Sequence, residues 1–382
     1  MLAAALLFAA AGVWAHKPSD SYLAVNVAGA HVSGQWDIAL RDLDYALGLD
    51  ADGDGNITWG EVRSRHADIA AYAAARLALQ ADGRACTLDV GAQQIDEHTD
   101  GAYTVLPLAW NCGAGAAAPG ALELQYTLFA DLDPQHRGLL KLTAQGSTRT
   151  AVLGPQAARQ RFDLGVEASA VQQALDYARE GVWHIWIGFD HILFLLALLL
   201  PAVGLWMVRG GDARAPHRWH PVSRFGAAFW DVLRIVTAFT VAHSITLSLA
   251  ALGLVSLPSR LVESAIAASV VLAALNNLRP VFEGRRWIVA FVFGLVHGFG
   301  FATVLADLGL PQGALALALL GFNVGVELGQ LAIVAVFLPV AYLLRRGVFY
   351  RRVVLQGGSA LIALLAAVWF VERAFELELL PF

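Results

Sequence analysis

The chain has 382 residues, of which 57% are apolar and 15% are charged. Soluble domains carry about 25% charged residues, so the composition excludes an ordinary soluble protein. The net charge of −5 argues against a nucleic-acid partner, which would need a basic surface. Residues 16–183 carry 12 Lys and Arg against 21 Asp and Glu, whereas residues 184–382 carry 14 against 10. The two parts are therefore expected to lie in different solvents.

The N-terminal segment predicts a secretory signal peptide over residues 1–15. Residues 2–13 are almost wholly apolar, and Val13-Trp14-Ala15 is similar to a small-residue cleavage site. Cleavage after Ala15 would make His16 the first residue of the mature chain. Its amine and imidazole would then form a chelating pair for a metal ion. The alternative is an ordinary terminal residue.

Residues 16–180 are predicted to form a β-rich, sandwich-like extracytoplasmic domain. Alternating apolar and polar residues predict two strands within residues 21–40. Further strands are predicted over residues 85–90, 103–110, 122–129, 138–143 and 149–153, and an Ala-rich helix over residues 67–79. Cys86 and Cys112 predict a disulfide in an exported domain, with metal ligation or free thiols as the alternatives. His136 falls between two strands and is expected in a solvated loop.

Residues 50–61 match the twelve-residue calcium loop of EF-hand proteins, with Gly55 at the sharp turn. The candidate calcium ligands are Asp50, Asp52, Asp54, Asn56, Thr58 and Glu61. Helices are predicted on both sides, over residues 36–47 and 61–79. A single extracytoplasmic loop of this kind binds Ca²⁺ with a Kd of about 10⁻⁴–10⁻³ M, so a structural ion is expected. An acidic turn without an ion is the alternative.

Residues 181–382 are predicted to form an all-α membrane domain, a bundle of six spans. Each apolar stretch has about 20 residues or more, enough to cross a bilayer; the stretches are residues 184–208, 227–255, 261–278, 287–308, 314–344 and 353–371. Arginines cluster after the first, third and fifth spans, which places these loops in the cytoplasm. The β-rich domain and the C-terminus are then both periplasmic, on a bacterial-type inner membrane.

Ionisable residues within such spans are costly and by default mark a function. The candidates are His184, Asp190, His191, His243, Glu263, His297 and Glu327, with Asn323 and Gln330 in the fifth span. His184 and His191 are seven residues apart, so they would share one helix face. Imidazoles and carboxylates without cysteine suit Ni, Co, Zn, Fe or Cu; interhelical hydrogen bonds or a proton relay are the alternatives. His217 and His220 lie in an Arg-rich loop and are expected to be solvated.

Residues 184–194, HIWIGFDHILF, contain a His-x5-Asp-His pattern that resembles the HupE/UreJ family of membrane proteins. The resemblance continues through residues 240–244, 262–267, 294–302 and 322–330, and so covers the whole membrane half. Members of this family are regarded as nickel or cobalt permeases, which implies a metal role for His184, Asp190 and His191. The chain is similar to the longer branch with an outer domain, and its second His-rich element is reduced to His297-Gly298.

Three functions are compatible with these residues. The first is a permease that captures a metal ion outside, assisted by His16, and binds it at a site made by His184, Asp190, His191, His243, His297 and Glu327. The chain has no Gly-x4-Gly-Lys nucleotide loop, so movement would be passive or ion-coupled.

The second function is a metal-dependent intramembrane hydrolase with Glu327 or Asp190 as general base. The third is a receptor-like or assembly protein whose outer domain binds a partner. A polar passage through the inner half of the membrane domain would favour transport, and a closed floor would favour hydrolysis.

Overall fold

The structure is a computed structural model that describes residues 19–98, 101–113, 118–134, 136–155, 157–165, 169–207, 218–279, 285–300, 312–375, 377 and 379. Within these residues the chain divides into two compact units, one mainly from the residues up to Gln173 and one mainly from Ala174 onward. The predicted signal peptide, His16 and His217 lie outside the described residues, so these three points stay predictions.

The first unit is rich in β-strands, as the alternating pattern predicts. Its elements are β1 (Asp20–Ala28), β2 (His31–Ala39), α1 (Leu40–Leu47), α2 (Trp59–Ser64), α3 (His66–Ala74), β3 (Leu77–Ala81), β4 (Arg84–Ala85), β5 (Thr87–Val90), β6 (Gln94–His98), β7 (Gly101–Asn111), β8 (Ala121–Tyr126), β9 (Arg137–Ala144), β10 (Ser147–Leu153) and β11 (Arg159–Asp163). The β-rich prediction is confirmed, although β3, β6 and β11 were not among the predicted strands.

The strands form two sheets around a shared core. In the described part of the chain, seven strands form one sheet in the order β10-β9-β1-β2-β7-β5, with β6 also pairing with β7. The second sheet has the order β11-β8-β3-β4. β1 pairs in parallel with β9 and antiparallel with β2. Leu23 and Trp36 of the first sheet and Leu124 of the second belong to one buried cluster, so the apolar positions of both sheets face a common core.

Two local features of this unit bear on the sequence predictions. Cys86 and Cys112 form a disulfide, which confirms the expected bond and joins the β4–β5 junction to the end of β7. The solvated loop expected at His136 is wrong, because this side chain is only 1% exposed. Its Nδ1 contacts the Ser19 hydroxyl and its Nε2 lies 2.6 Å from the Tyr126 hydroxyl. Burial, with the nearby Arg137 charge, lowers the pKa of His136 to about 3.

Both predicted helices around residues 50–61 are too long. Residues 36–39 belong to β2, where Trp36 and Ile38 are fully buried on the core side of the sheet. The helix predicted over residues 61–79 is interrupted at Arg65 and ends at Ala74. Residues 77–79 instead belong to β3, which pairs with β8. Burial alternates along β3, as expected for a strand with one face on the core. Sheet pairing overrides the local helical tendency at both ends.

The second unit is built mainly from helices. Its elements are α4 (Ala170–Ile187), α5 (Phe189–Leu199), a short 3₁₀ turn (Leu200–Val203), β12 (Gly204–Met207), β13 (Arg218–Pro221), α6 (Phe225–Ala251), α7 (Ser259–Leu278), α8 (Arg286–His297), α9 (Gln312–Leu344), a π-helical segment (Tyr350–Gly357) and α10 (Gly358–Phe375). β12 and β13 pair as a small antiparallel hairpin, in which His220 is exposed.

The helical unit belongs to a multi-pass membrane protein. Among the described residues, four helical stretches are long and apolar enough to cross a bilayer, or five if the bent pair α4–α5 is one span. The first predicted span is wrong in its bounds, because the helix begins at Ala170, bends by 74° next to Gly188 and gives way to β12. The fourth predicted span contains α8, and its second part lies outside the described residues. The count of six spans therefore stays a prediction.

Glycines let these helices approach each other at backbone distance. Gly321, Gly325 and Gly329 of α9 recur every four residues and lie against the backbone of α4. Gly294 of α8 lies against the Phe239 carbonyl of α6, and Gly298, just after α8, lies against the His243 carbonyl. Small residues at helix interfaces are the usual means of close packing in membranes. These contacts pair α4 with α9 and α6 with α8, and all four helices carry polar residues described next.

Candidate metal centre

Three histidines from different helices converge in the helical unit. One ring nitrogen of each of His184, His191 and His243 lies within 4.8 Å of the other two. His184 lies near the end of α4, His191 in the first turn of α5 and His243 in the second half of α6. The ring centroids of His184 and His191 are 4.5 Å apart, and those of His184 and His243 are 6.4 Å apart. We call this group the three-histidine cluster.

The bend at Gly188 creates the cluster. The sequence predicts His184 and His191 on one face of a continuous helix, but the chain turns between them. A Cβ atom at Gly188 would lie 2.9 Å from the His184 carbonyl oxygen and 2.8 Å from His191 Nδ1. A side chain at this position would therefore push the two histidines apart.

Asp190 determines which nitrogen of His191 is available. Asp190 Oδ1 lies 3.0 Å from His191 Nδ1 and also accepts the His191 backbone N–H at 2.8 Å. An ionised carboxylate can only accept hydrogen bonds, so Nδ1 carries the ring proton and Nε2 keeps its lone pair. His191 Nε2 is buried and has no hydrogen-bond partner among the residues that the structure describes. A neutral imidazole with its proton on Nδ1 can bind a metal ion through Nε2 without first moving that proton.

Asn323 acts on His243 in the same way. The Asn323 side-chain amide donates to the Leu319 carbonyl at 2.8 Å, which fixes its Oδ1 towards His243 Nδ1 at 3.3 Å. His243 Nδ1 is therefore the donor, and Nε2 keeps its lone pair. Nε2 is buried, and no described residue forms a hydrogen bond with it. The sequence indicated Asn323 as a neighbour of the site, and this contact gives it a specific role.

A fourth histidine lies beside the cluster. Ser269 donates its hydroxyl proton to the Ile266 carbonyl at 2.6 Å. The Ser269 oxygen also lies 2.8 Å from His297 Nε2, and since its proton is already used, it accepts a hydrogen bond from that nitrogen. The lone pair of His297 is then on Nδ1, which is buried and, within the described part of the chain, has no hydrogen-bond partner. The ring centroids of His297 and His191 are 5.4 Å apart. His297 is thus adjacent to the cluster but is not one of the three mutually close ligands.

The predicted carboxylates lie outside the cluster. Asp190 is behind His191, and its second oxygen faces Arg373 Nη1 at 3.9 Å. Glu327 on α9 accepts a hydrogen bond from Thr237 of α6 at 2.7 Å. Glu263 lies near the start of α7 and does not take part in the three-histidine cluster. Sequence reasoning did not identify Thr237, Ser269 or Arg373; a charged residue near the end of the last apolar stretch was the available signal for Arg373.

Polar and aromatic contacts both adjoin the cluster. Three contacts join α6 to α9: His243 to Asn323, Thr240 to Gln330 at 3.1 Å, and Thr237 to Glu327. Along α5, one turn beyond His191, Phe194 packs against His297, Phe239 and Phe293, with ring centroids 4.7, 5.3 and 5.7 Å apart. The cluster therefore lies beside both a group of packed aromatic rings and a set of hydroxyl, amide and carboxyl groups.

The acidic loop of the β-rich unit has its own geometry. One carboxylate oxygen of each of Asp50, Asp52 and Asp54 lies within 4.8 Å of the other two. Glu61 accepts the backbone N–H groups of Ala51 and Thr58, each at 2.8 Å, and caps α2. The hydrogen bonds from Thr58 and Ala51 lower the pKa of Glu61 to about 2.

Comparison with known protein families finds a match that covers most of the helical unit. The family model described as HupE / UreJ protein matches residues 160–373. No curated protein matches the chain. The matched range includes every residue of the three-histidine cluster together with Asp190, His297, Asn323, Glu327 and Arg373.

Proposed function

Because the chain belongs to the HupE/UreJ family, we propose that it is a membrane permease for a divalent transition-metal ion of the nickel or cobalt type. The observation that carries the proposal is the three-histidine cluster, whose ring nitrogens lie within 4.8 Å of one another. Imidazole nitrogen suits Ni, Co, Cu, Fe and Zn, whereas Mg and Ca prefer oxygen. The metal ion is the cargo, and His184, His191 and His243 are its proposed ligands.

The remaining predicted site residues have separate proposed roles. His297, with a buried Nδ1 lone pair beside His191, is a fourth ligand that an arriving ion can recruit. Glu327 is a station further along the α6–α9 contact, since Thr237 precedes His243 by six residues, about 9 Å along a helix. Asp190 acts through His191, and His16 assists capture at the mature N-terminus. The nearby Thr240–Gln330 contact between the same two helices supports a polar route away from the cluster.

We propose the same membrane arrangement as the sequence predicts. Residues 1–15 are a signal peptide, residues 16–180 form a periplasmic domain and residues 181–382 form six spans of the inner membrane. The disulfide between Cys86 and Cys112 supports an oxidising compartment for the first unit.

Cellular metal uptake by two variants tests the permease. His191→Ala and His243→Ala each remove one ligand of the cluster, so cellular nickel or cobalt uptake should fall to the background of cells without the protein. His220→Ala is the matched control, because His220 is exposed in the β12–β13 hairpin. Normal uptake by both cluster variants, at equal amounts of inserted protein, would contradict the permease.

One observation favours a metal-dependent intramembrane hydrolase as the second candidate. Three imidazole ligands with an open fourth position are the ligand set of catalytic zinc sites. The packed rings of Phe194, Phe239 and Phe293 beside the cluster support a closed apolar floor. In this function Glu327 or Asp190 is the general base. Zinc-loaded protein that hydrolyses a peptide or ester substrate, loses this activity as Glu327→Gln and transports no metal would favour the hydrolase.

We also propose that residues 50–61 bind Ca²⁺. The convergence of Asp50, Asp52 and Asp54 supports the site, and Asn56, Thr58 and Glu61 are the further ligands of the EF-hand pattern. Addition of about 1 mM Ca²⁺ should protect the loop from hydrogen exchange, given a Kd of about 10⁻⁴–10⁻³ M. Exchange that is equal with Ca²⁺ and with Mg²⁺ would contradict a calcium site.

A further inference from the structure

Arg373 faces the carboxylate that holds His191. Arg373 lies near the end of α10, and its Nη1 is 3.9 Å from Asp190 Oδ2 at the start of α5. The other oxygen of Asp190 is occupied by the ring and backbone N–H groups of His191. Asp190 therefore has one oxygen directed to the histidine and one to the arginine.

The Arg373–Asp190 contact acts through charge. A separation of 3.9 Å is too long for a hydrogen bond, and among the described residues the buried Arg373 Nη1 has no hydrogen-bond partner. Attraction between a guanidinium and a carboxylate does not require that geometry and is strong where water is scarce. Arg373 therefore neutralises Asp190 without using the oxygen that orients His191.

A carboxylate next to a divalent cation is otherwise drawn into its coordination sphere. Asp190 follows the Gly188 bend and directly precedes His191, yet it has no place in the three-histidine cluster. We propose that Arg373 is a positioning residue that keeps Asp190 out of the first coordination sphere, so that the cation is bound by imidazole nitrogens alone. This inference rests on the proposed metal site and adds which cations that site prefers.

The consequence is a preference among cations. With Asp190 neutralised and held behind His191, an all-nitrogen ligand set disfavours hard cations such as Mn²⁺ and Mg²⁺, which prefer oxygen. Asp190 instead raises the basicity of His191, as outer carboxylates do for metal-ligating histidines. Release of Asp190 from Arg373 would add a charged oxygen ligand and relax this preference.

The test uses the purified full-length protein with Co²⁺ and Mn²⁺ as probes. Arg373→Gln should bind Co²⁺ about tenfold more tightly, because Asp190 then contributes an unbalanced negative charge to the site. The ratio of Co²⁺ to Mn²⁺ affinity should fall, because the new oxygen ligand helps Mn²⁺ more. The infrared difference spectrum on Co²⁺ binding should gain a metal-bound carboxylate band that is absent from the wild-type protein.

Three further variants separate positioning from folding. Arg373→Lys keeps the positive charge and should restore the wild-type affinity ratio. The double variant Asp190→Asn/Arg373→Gln should lose the new carboxylate band. Arg260→Gln is the matched control, since Arg260 donates to the Ala374 carbonyl at the same end of α10; it should leave both affinities unchanged.

The outcomes distinguish this inference from the proposed function. In one outcome, wild-type protein binds Co²⁺, whereas Arg373→Gln binds it equally or more weakly and shows no new carboxylate band. The Arg373–Asp190 pair is then structural, so the inference is wrong while the permease stands. If wild-type protein shows the carboxylate band, Asp190 is already a ligand and the inference is likewise wrong. If wild-type protein binds no Co²⁺, the proposed function fails and this inference fails with it.

Discussion

Gly325 of α9 lies directly against the carbonyl oxygen of Ala178 on α4, so closely that a Cβ atom at Gly325 would overlap that oxygen. Gly321 and Gly329, one turn to either side, make the same approach to α4. α4 carries His184 and α9 carries Asn323. The glycine row therefore sets the distance between the helix that presents one ligand and the helix that orients another.

The close contact predicts that Gly325→Leu separates α4 from α9. Overpacking of a tight interface costs about 1–3 kcal/mol, so the melting temperature of the detergent-solubilised protein should fall and metal binding should weaken. Gly313→Ala is the control on the same helix, where no atom of the described residues lies within 4 Å of the added methyl group. It should leave both properties near wild type. Equal behaviour of the two variants would show that the glycine row does not hold the interface.

His136 predicts that acid weakens the β-rich unit. Its pKa is about 3 in the folded protein and about 6.5 in an unfolded chain. Because the unfolded chain binds a proton on His136 more readily than the folded protein does, acid favours unfolding. The free energy of unfolding is unaffected by this group above about pH 6.5 and falls by up to about 1.4 kcal/mol per pH unit as the pH drops towards 3. Hydrogen exchange in β1 and β9 of the full-length protein should therefore accelerate between pH 6.5 and 4, after correction for intrinsic rates.

A variant identifies His136 as the source of that dependence. His136→Gln removes the titrating group, so it should be less stable at pH 7 but show a shallower loss of protection in acid. His31→Gln is the control, because His31 is exposed in β2. A wild-type slope in His136→Gln would assign the acid sensitivity to another group.

Part of this structure could be predicted from the sequence because hydrophobic period and residue chemistry are local signals. The α6, α7, α9 and α10 stretches follow from apolar length, and costly intramembrane histidines indicated the cluster residues. The bend at Gly188 was not predictable in this way, because a single glycine in an apolar run is compatible with a straight helix. The partners Ser269, Thr237 and Arg373 depend on which helices are neighbours, and helix pairing is a tertiary property.

In the β-rich unit, too, long-range contacts limit what the sequence can predict. The run around Ala73 is Ala-rich and predicts a helix to residue 79, but Leu77 and Leu79 gain more by facing the core from β3. His136 looked like a loop residue between two strands, yet Ser19 and Tyr126 are 117 and 10 residues away in sequence and enclose it. Local propensity cannot report contacts of this range.

The disulfide predicts a second stability test for the β-rich unit. Cys86 and Cys112 are 26 residues apart, and a bond across a loop of this size stabilises a protein by about 2–4 kcal/mol. Cys86→Ser/Cys112→Ser should therefore exchange faster in β5 and β7. Reductant should produce the same change in wild-type protein and none in the double variant. Unchanged exchange on both routes would show that the bond contributes nothing to stability.

Asn323 predicts a loss of metal affinity from a residue that is not itself a proposed ligand. In Asn323→Ala the ring N–H at His243 Nδ1 loses its acceptor, so the proton can move to Nε2 and remove the lone pair of that buried nitrogen. Loss of such an outer partner lowers metal affinity by about 10–100-fold. Calorimetric titration with Ni²⁺ or Co²⁺ measures the change, and Asn323→Asp, which keeps an acceptor oxygen, should recover most of it. Gln330→Ala on the same helix, whose partner is Thr240, should leave the affinity close to wild type. An equal loss in Gln330→Ala would mean that general disturbance of the α6–α9 contact, and not the orientation of His243, weakens metal binding.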